Sequence, residues 1–296
     1  MRRPGVVRRT PQPTTPSTRL FPVSEDGVMP IGLPSGGDPK RYTHAQFDAA
    51  ELAEVKGTRR ISVCIPARNE AATVGPVVRS IVTALTASAG GVPLVDEVVV
   101  VDDGSTDRTA DLARQAGAVV IGAEAPHGGK GQAMRSALKA TDGDLVAFVD
   151  ADVTNFGAHF VTGLLGPLLS DESLNLVKGF YQRPLHGVPD GGGRVTELMA
   201  KPVIDLLFPW LHPIEQPLAG ETAAPRSVLE KCSLADGYAV ELALLIDVAA
   251  VFGVQTVGQV DLGTRVHRNR PLSELRPQAT DILRAALARA TLITPD

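Results

Sequence analysis

Cysteine is nearly absent: two in 296 residues, Cys64 and Cys232, far apart and in no metal-binding spacing. That excludes a disulfide scaffold and a cysteine-held zinc site, and it predicts a reducing, cytoplasmic setting. No uninterrupted apolar run approaches the length of a membrane span. The most apolar helical stretch, around Tyr238–Phe252, is interrupted by Glu241 and Asp247, so no stable membrane insertion is expected. Excess positive charge is missing as well. A formal net charge of −4 offers no phosphate-neutralising surplus and argues against general nucleic-acid binding. There is no P-loop and no internal repeat.

What is present divides unevenly. Residues 1–40 hold 8 of the 23 prolines, five arginines and no acid before Glu25. Such a segment buries too little apolar surface to order itself and reads as a tail. Its arginines are not followed by the apolar core of a secretory leader. Residues 41–296 read as one domain, with 60–152 as a regular nucleotide-binding half and 153–296 as a looser acceptor half.

A helix is expected over His44–Lys56. From Arg60, strands at Ile61–Ile65 (ended by Pro66), Glu97–Val101, Ala118–Ile121 and Leu145–Val149 alternate with helices over Ala72–Ala87, Ala110–Gln115 and up to Ala140. This βα alternation predicts an α/β fold, a mostly parallel Rossmann-like sheet with helices on both faces. Further on, helices are expected at Ala158–Leu169, from the G-G-G-R-V-T stretch to Leu207, at Val240–Phe252 and at Ser273–Ala290. Strands are expected at Leu174–Phe180 and Gln255–Asp261.

Chemistry gathers where strands end. The run L-V-A-F-V stops at Asp150-Ala151-Asp152. Side chains alternate in an extended segment, so both carboxylates point one way. Paired carboxylate oxygens suit Mg²⁺ or Mn²⁺ shared with a diphosphate. The first strand runs into Pro66-Ala67-Arg68-Asn69-Glu70. The second runs into D-D-G-S-T-D, where Asp102 or Asp103 can accept from a base or ribose, and where Thr106 or Asp107 can cap the next helix. Lys130, in G-G-K-G at a helix start, suits phosphate, and its glycines would let the backbone approach a ligand.

Together with G-F-Y-Q-R-P-L, G-G-G-R-V-T-E-L, G-Y-A-V-E-L and R-V-H-R-N-R-P downstream, this constellation resembles GT-A nucleotide-sugar transferases, and among them the glucosyl-3-phosphoglycerate synthase family. The resemblance runs from about Arg60 to Leu275. It implies a retaining, dimeric, cytoplasmic enzyme dependent on Mg²⁺ (Mn²⁺ or Co²⁺ as substitutes), moving glucose from UDP-glucose to the 2-hydroxyl of D-glycerate 3-phosphate.

By the same resemblance the donor lies on Pro66, Ala67, Arg68, Asn69 and Glu70, with Asp103 near the base and Lys130, Asp150 and Ala151 along ribose and diphosphate. Tyr238, Ala239, Val240 and Glu241 would face the glucose, and Arg265, Val266, His267, Arg268, Asn269 and Arg270 would close the donor site. Metal ligands would be Asp152 and His267. The acceptor would meet Gly193, Arg194, Val195, Thr196 and Asn269. Asp152 and Glu241 are the catalytic candidates. Asp103 and Ala151 stand where relatives often carry serine, which bears on the choice of base and sugar. Mannosyl transfer from GDP-mannose, and transfer to a polyprenyl phosphate, are the rival activities.

Overall fold

The structure, a computed structural model, describes residues 37–86, 91–184, 192–267 and 272–293. In chain order its elements are β1 (Lys40–Thr43), α1 (Ala49–Lys56), β2 (Ile61–Ala67), α2 (Val74–Ile81), β3 (Glu97–Asp102), α3 (Thr109–Gln115), β4 (Val119–Gly122), α4 (Gly129–Ala140), β5 (Leu145–Phe148) and α5 (His159–Ser170). There follow β6 (Leu176–Gln182), α6 (Lys201–Leu207), β7 (Thr222–Pro225), α7 (Arg226–Leu229), α8 (Val240–Phe252), β8 (Val257–Thr264) and α9 (Leu272–Ile293).

The eight strands among the described residues make one sheet in the order β1-β8-β6-β7-β5-β2-β3-β4. Every neighbouring pair is parallel except those of β7, which runs against both β5 and β6. The buried strands β2, β3 and β5 are the apolar, β-branched runs expected of a sheet covered on both faces. One core cluster packs β2, β3 and β5 beneath α1, α2, α3 and α5. The other lies beneath α4, α6, α7, α8 and α9.

Several boundaries differ from expectation, each for a local reason. Pro66 does not end β2, which continues to Ala67. Cys64 O accepts from Val149 on the β5 side, and Pro66 faces the same side two residues on. The β2–β5 pairing stops at Cys64, so the missing N–H forfeits no ladder bond. His44–Lys56 is not one helix: Thr43 and Gln46 box a 3-10 turn over His44–Gln46, and Asp48 then caps α1 through Ala50 and Glu51 N–H groups. The helix after β2 continues from α2 as a π-helical turn to Thr86. The tail assignment falls on residues 1–36, outside the described residues, but Lys40 already opens β1 and donates to Asp171 at 2.5 Å.

α8 is apolar almost throughout and buried from Val240 to Ala249. Its two acids are both paired. Glu241 meets Lys130 at 2.9 Å, and Asp247 takes a two-point fork from Arg289 at 2.7 and 2.7 Å. Arg289 thereby anchors α9 over the same face.

Candidate active site

Six segments end at one edge of the sheet. β2 and β3 deliver Pro66–Glu70 and Asp103; β5 delivers Asp150–Asp152; β6 delivers Tyr181 and Arg183; the turn into β7 delivers Gly220 and Glu221; β8 delivers Arg265 and His267. The N-termini of α4 and α8 add Lys130 and Glu241, and the turn before α6 adds Gly193–Thr196. All of these except Asn69, Tyr181, Gly220 and Glu221 line a cavity of about 290 Å³, which is also lined by Leu275, Gln278 and Ile282 of α9.

Its floor is an alternating charge network. Lys130 donates to Asp150 and lies 2.9 Å from Glu241. Arg265 Nη2 meets Asp150 at 2.6 Å and Asp152 at 2.9 Å, while its Nε lies 3.1 Å from Glu221. Glu221 is fully buried and also accepts from Tyr181 Oη at 2.7 Å. One guanidinium nitrogen touching both acids of D-A-D shows that they do face one way. Burial alone would lower the Lys130 pKa, but Asp150 and Glu241 outweigh it and hold the ammonium charged. Burial would likewise raise Asp150, yet Lys130 and Arg265 keep it ionised.

A divalent ion fits Asp152 and His267. They are distant in sequence, but an antiparallel bridge joins Val153 to His267, and Thr154 N–H donates to Val266 O at 2.9 Å. This stitch sets the two residues side by side. Burial, reinforced by Arg265 and Arg183, pushes His267 down to about 4, so it is the neutral imidazole a metal requires. Among the described residues no three His, Cys, Asp or Glu side chains surround one point; a two-ligand set leaves positions for diphosphate oxygens and water.

The sign of the pH dependence follows. Protonation competes with metal only below the folded pKa, so Mn²⁺ affinity should stay level from pH 8 down to roughly 5, whereas an ordinary histidine would lose it near 6.5. Mn²⁺ binding followed by EPR across that range tests this: a midpoint near 6.5 would show that burial does not hold His267 neutral, and unchanged Mn²⁺ affinity in His267→Ala would remove His267 from the site.

The structure gathers most expected residues and relocates others. Pro66, Ala67, Arg68, Glu70, Asp103, Lys130, Asp150, Ala151 and Asp152 line the cavity, as do Gly193, Arg194, Val195, Thr196, Tyr238, Glu241, Arg265 and His267. Asn69 does not. Its backbone is left-handed (φ 56°) and its Oδ1 accepts from Thr106 N–H at 2.8 Å, tying the loops after β2 and β3 together. Ala239 and Val240 are core residues, and Val266 points outward, 45% exposed. Arg268, Asn269 and Arg270 lie outside the described residues.

Lys130 is not a free phosphate ligand, being committed to Asp150 and Glu241. The glycines around it serve packing: a Cβ on Gly129 would stand 2.9 Å from Gly237 Cα, and one on Gly131 would collide with the Ala235 carbonyl. They bring α4 against the turn before α8, which is how Lys130 reaches Glu241. Neither helix-cap candidate occupies the N-cap of α3, which is Arg108; Asp107, one residue before it, accepts from Thr109 N–H at 2.9 Å and from Ala71 N–H at 3.1 Å, tying the helix start to the loop after β2.

Comparison with known proteins decides the family. Glycosyl transferase family 2 matches residues 62–191. The glucosyl-3-phosphoglycerate synthase of Mycolicibacterium smegmatis is 45% identical over 258 residues, 84% of this chain and 83% of that protein. The chain belongs to the glucosyl-3-phosphoglycerate synthase family. A solved structure of a family member from Mycobacterium tuberculosis, in complex with Mn²⁺, UDP-glucose and phosphoglyceric acid, superposes with a TM-score of 0.78. Its identity is 41%, covering 88% of this chain and 90% of that one. Another, with Mg²⁺ and UDP, also gives 0.78 at 41% identity, covering 87% of this chain and 88% of that one. The fold is therefore GT-A.

Sequence reading missed Tyr181, Arg183, Gly220 and Glu221. G-F-Y-Q-R and P-L-A-G-E are short, and nothing local marks Arg183 as lining the cavity or Tyr181 and Glu221 as the buried pair behind it. Gly220 carries a steric signal instead: a Cβ there would run into the Asp150 carboxylate and Lys130 Nζ. Gly220→Ala should displace that pair and lower turnover on the order of 100-fold, the usual consequence of an ångström-scale misplacement. Steady-state kinetics beside a melting curve check it; wild-type turnover in a folded variant would show that the pair's position is immaterial.

Proposed function

We propose that the protein transfers glucose from UDP-glucose to the 2-hydroxyl of D-glycerate 3-phosphate, with retention of configuration and dependence on Mg²⁺ or Mn²⁺. The supporting observation is that Gly193–Thr196, an anion-binding turn with Arg194, opens into the same cavity as Asp152, His267 and Asp103. Acceptor phosphate and donor diphosphate would then be held at opposite ends of one space.

Residues 60–152 supply most of the donor end. Asp103 is buried; its Oδ2 accepts from Gly129 N–H at 3.0 Å, while Oδ1 has no hydrogen-bond partner among the described residues. A uracil N3–H or ribose hydroxyl placed there would satisfy it. The metal held by Asp152 and His267 would stabilise charge on the departing diphosphate. Arg194 and the backbone at Gly193–Thr196 hold the acceptor so that its 2-hydroxyl attacks from the leaving-group side.

No carboxylate among the described residues is clearly placed as a nucleophile; the candidate, Glu241, is tied to Lys130 at 2.9 Å. That pairing suits it to accept from glucose hydroxyls and makes it a poor nucleophile. The reaction is accordingly a front-face substitution: the anomeric carbon's bond to diphosphate breaks, its bond to the acceptor oxygen forms on the same face, and the hydroxyl proton passes to a diphosphate oxygen. Release of UDP on adding 3-phosphoglycerate tests this, with UDP-glucose, GDP-glucose and GDP-mannose side by side. Release that ignores the acceptor, or preference for GDP-mannose, would overturn it.

No helix among the described residues is long and apolar enough to cross a membrane. A polyprenyl-phosphate acceptor gains no support from the fold. We place the enzyme in the cytoplasm, in keeping with two free cysteines, one of them buried. A homodimer finds support in Leu198 and Leu206, which are 78% and 81% exposed along the segment Thr196–Leu207; a monomer mass in sedimentation would contradict it.

A further inference from the structure

Arg183 follows β6 and forms the cavity wall between the acceptor turn and the D-A-D carboxylates. Its guanidinium lies 4.8 Å over the Tyr181 ring, and Nη2 donates to Tyr181 Oη at 3.0 Å. Tyr181 Oη in turn donates to Glu221 at 2.7 Å, so the tyrosine is fixed and holds the fork in one orientation. Among the described residues no carboxylate pairs with Arg183, and its Nε is buried with no hydrogen-bond partner. An arginine kept for structure alone would be expected to meet an acid of the fold, since an unmatched buried donor is costly. Its Nη1 comes within 3.6 Å of where a Cβ on Gly193 would stand, which places the guanidinium beside the acceptor turn.

The chemistry of the acceptor says what belongs between that turn and the D-A-D carboxylates. The reacting hydroxyl of 3-phosphoglycerate is on C2, and the phosphate is on C3. With the phosphate at Gly193–Thr196 and the hydroxyl toward Asp150 and Asp152, the carboxylate, also attached to C2, falls between them. A planar guanidinium with donors to spare matches a planar carboxylate there. We propose that Arg183 binds the acceptor's carboxylate and makes the enzyme select phosphorylated 2-hydroxy acids over phosphorylated diols. The proposal rests on the function proposed above.

The test compares 3-phosphoglycerate with glycerol 3-phosphate, which keeps the phosphate and a C2 hydroxyl but lacks the carboxylate. Each is used as substrate or as competitive inhibitor with wild type, Arg183→Met and Arg183→Lys. Methionine preserves much of the apolar stem against Tyr181, and UDP binding reports that the variants are folded. Arg183→Met should weaken 3-phosphoglycerate roughly 10- to 100-fold, the scale of lost charge-assisted hydrogen bonds. Glycerol 3-phosphate should be left as poor as before, so the preference collapses while the KM for UDP-glucose holds. Arg183→Lys should restore part of the preference. If both compounds weaken equally, Arg183 serves the phosphate and the proposal fails; unchanged preference, or a loss confined to the donor, overturns it too. Failure of wild type to glucosylate 3-phosphoglycerate would instead refute the function proposed above, and inhibition by the two compounds would still show whether Arg183 distinguishes them.

Discussion

Asp152→Ala is expected to abolish divalent-dependent turnover. As proposed, the carboxylate would be one of two protein ligands to the metal, and its removal would leave charge on the departing diphosphate uncompensated. Such stabilisation is worth several kcal/mol, so turnover should fall by roughly 1000-fold or more. The fold should survive. Arg265 loses its 2.9 Å contact with Asp152 but keeps Asp150 at 2.6 Å and Glu221 at 3.1 Å, so no buried cation is stranded. Mn²⁺ binding by EPR should vanish along with turnover, while the melting temperature moves little. Activity within a few-fold of wild type in a folded variant would place the metal elsewhere. Asp150→Ala offers the contrast. It takes one partner from each of two buried cations, leaving Lys130 with Glu241 and Arg265 with Asp152 and Glu221, so that variant should lose more stability than Asp152→Ala does.

The difference between those two aspartates marks how far the sequence could be read. Apolar runs ending in charge located β2, β3 and β5 and the edge where they finish, because burial on both faces leaves a continuous β-branched signature. β1 and β7 escaped it. K-R-Y-T lies on the sheet edge and is largely exposed, and T-A-A-P has almost no strand pattern. β7 is a strand because β5 and β6 flank it, which is a tertiary cause. The D-A-D pair was legible as two carboxylates facing one way at a strand end, whereas their different protein partners were not. Asp150 is absorbed by Lys130 and Arg265, from 20 residues before and 115 after, and such a network has no local spacing. Tyr181, Arg183 and Glu221 were hidden for the same reason, each gaining its role from a partner across the sheet. The H-G-G-K-G glycines show the converse, a local signal correctly noticed whose neighbour is protein rather than ligand.

Arg194→Ala is expected to separate acceptor from donor. Arg194 lines the cavity at the start of the helical segment that leads into α6, next to Gly193, whose φ of +73° turns the chain there. A phosphate dianion at such a turn takes charge-assisted hydrogen bonds from the guanidinium and from backbone N–H groups. Losing the guanidinium should cost about 2–4 kcal/mol of acceptor binding, roughly 30- to 1000-fold. UDP-glucose affinity should hardly change, because Asp103 and Asp152 belong to other strand ends. Arg194→Lys should recover only part, keeping the charge and losing the planar fork. D-glycerate, which lacks the phosphate, should be a poor acceptor for wild type and about equally poor for Arg194→Ala. Glycerol 3-phosphate should weaken in Arg194→Ala, the opposite of its indifference to Arg183→Met, so the two arginines read different ends of one small molecule. Paired titrations of donor and acceptor on the three proteins measure all of this. An Arg194→Ala enzyme that binds UDP-glucose less well and 3-phosphoglycerate unchanged would mean that the turn at Gly193 holds the nucleotide and that the acceptor enters elsewhere.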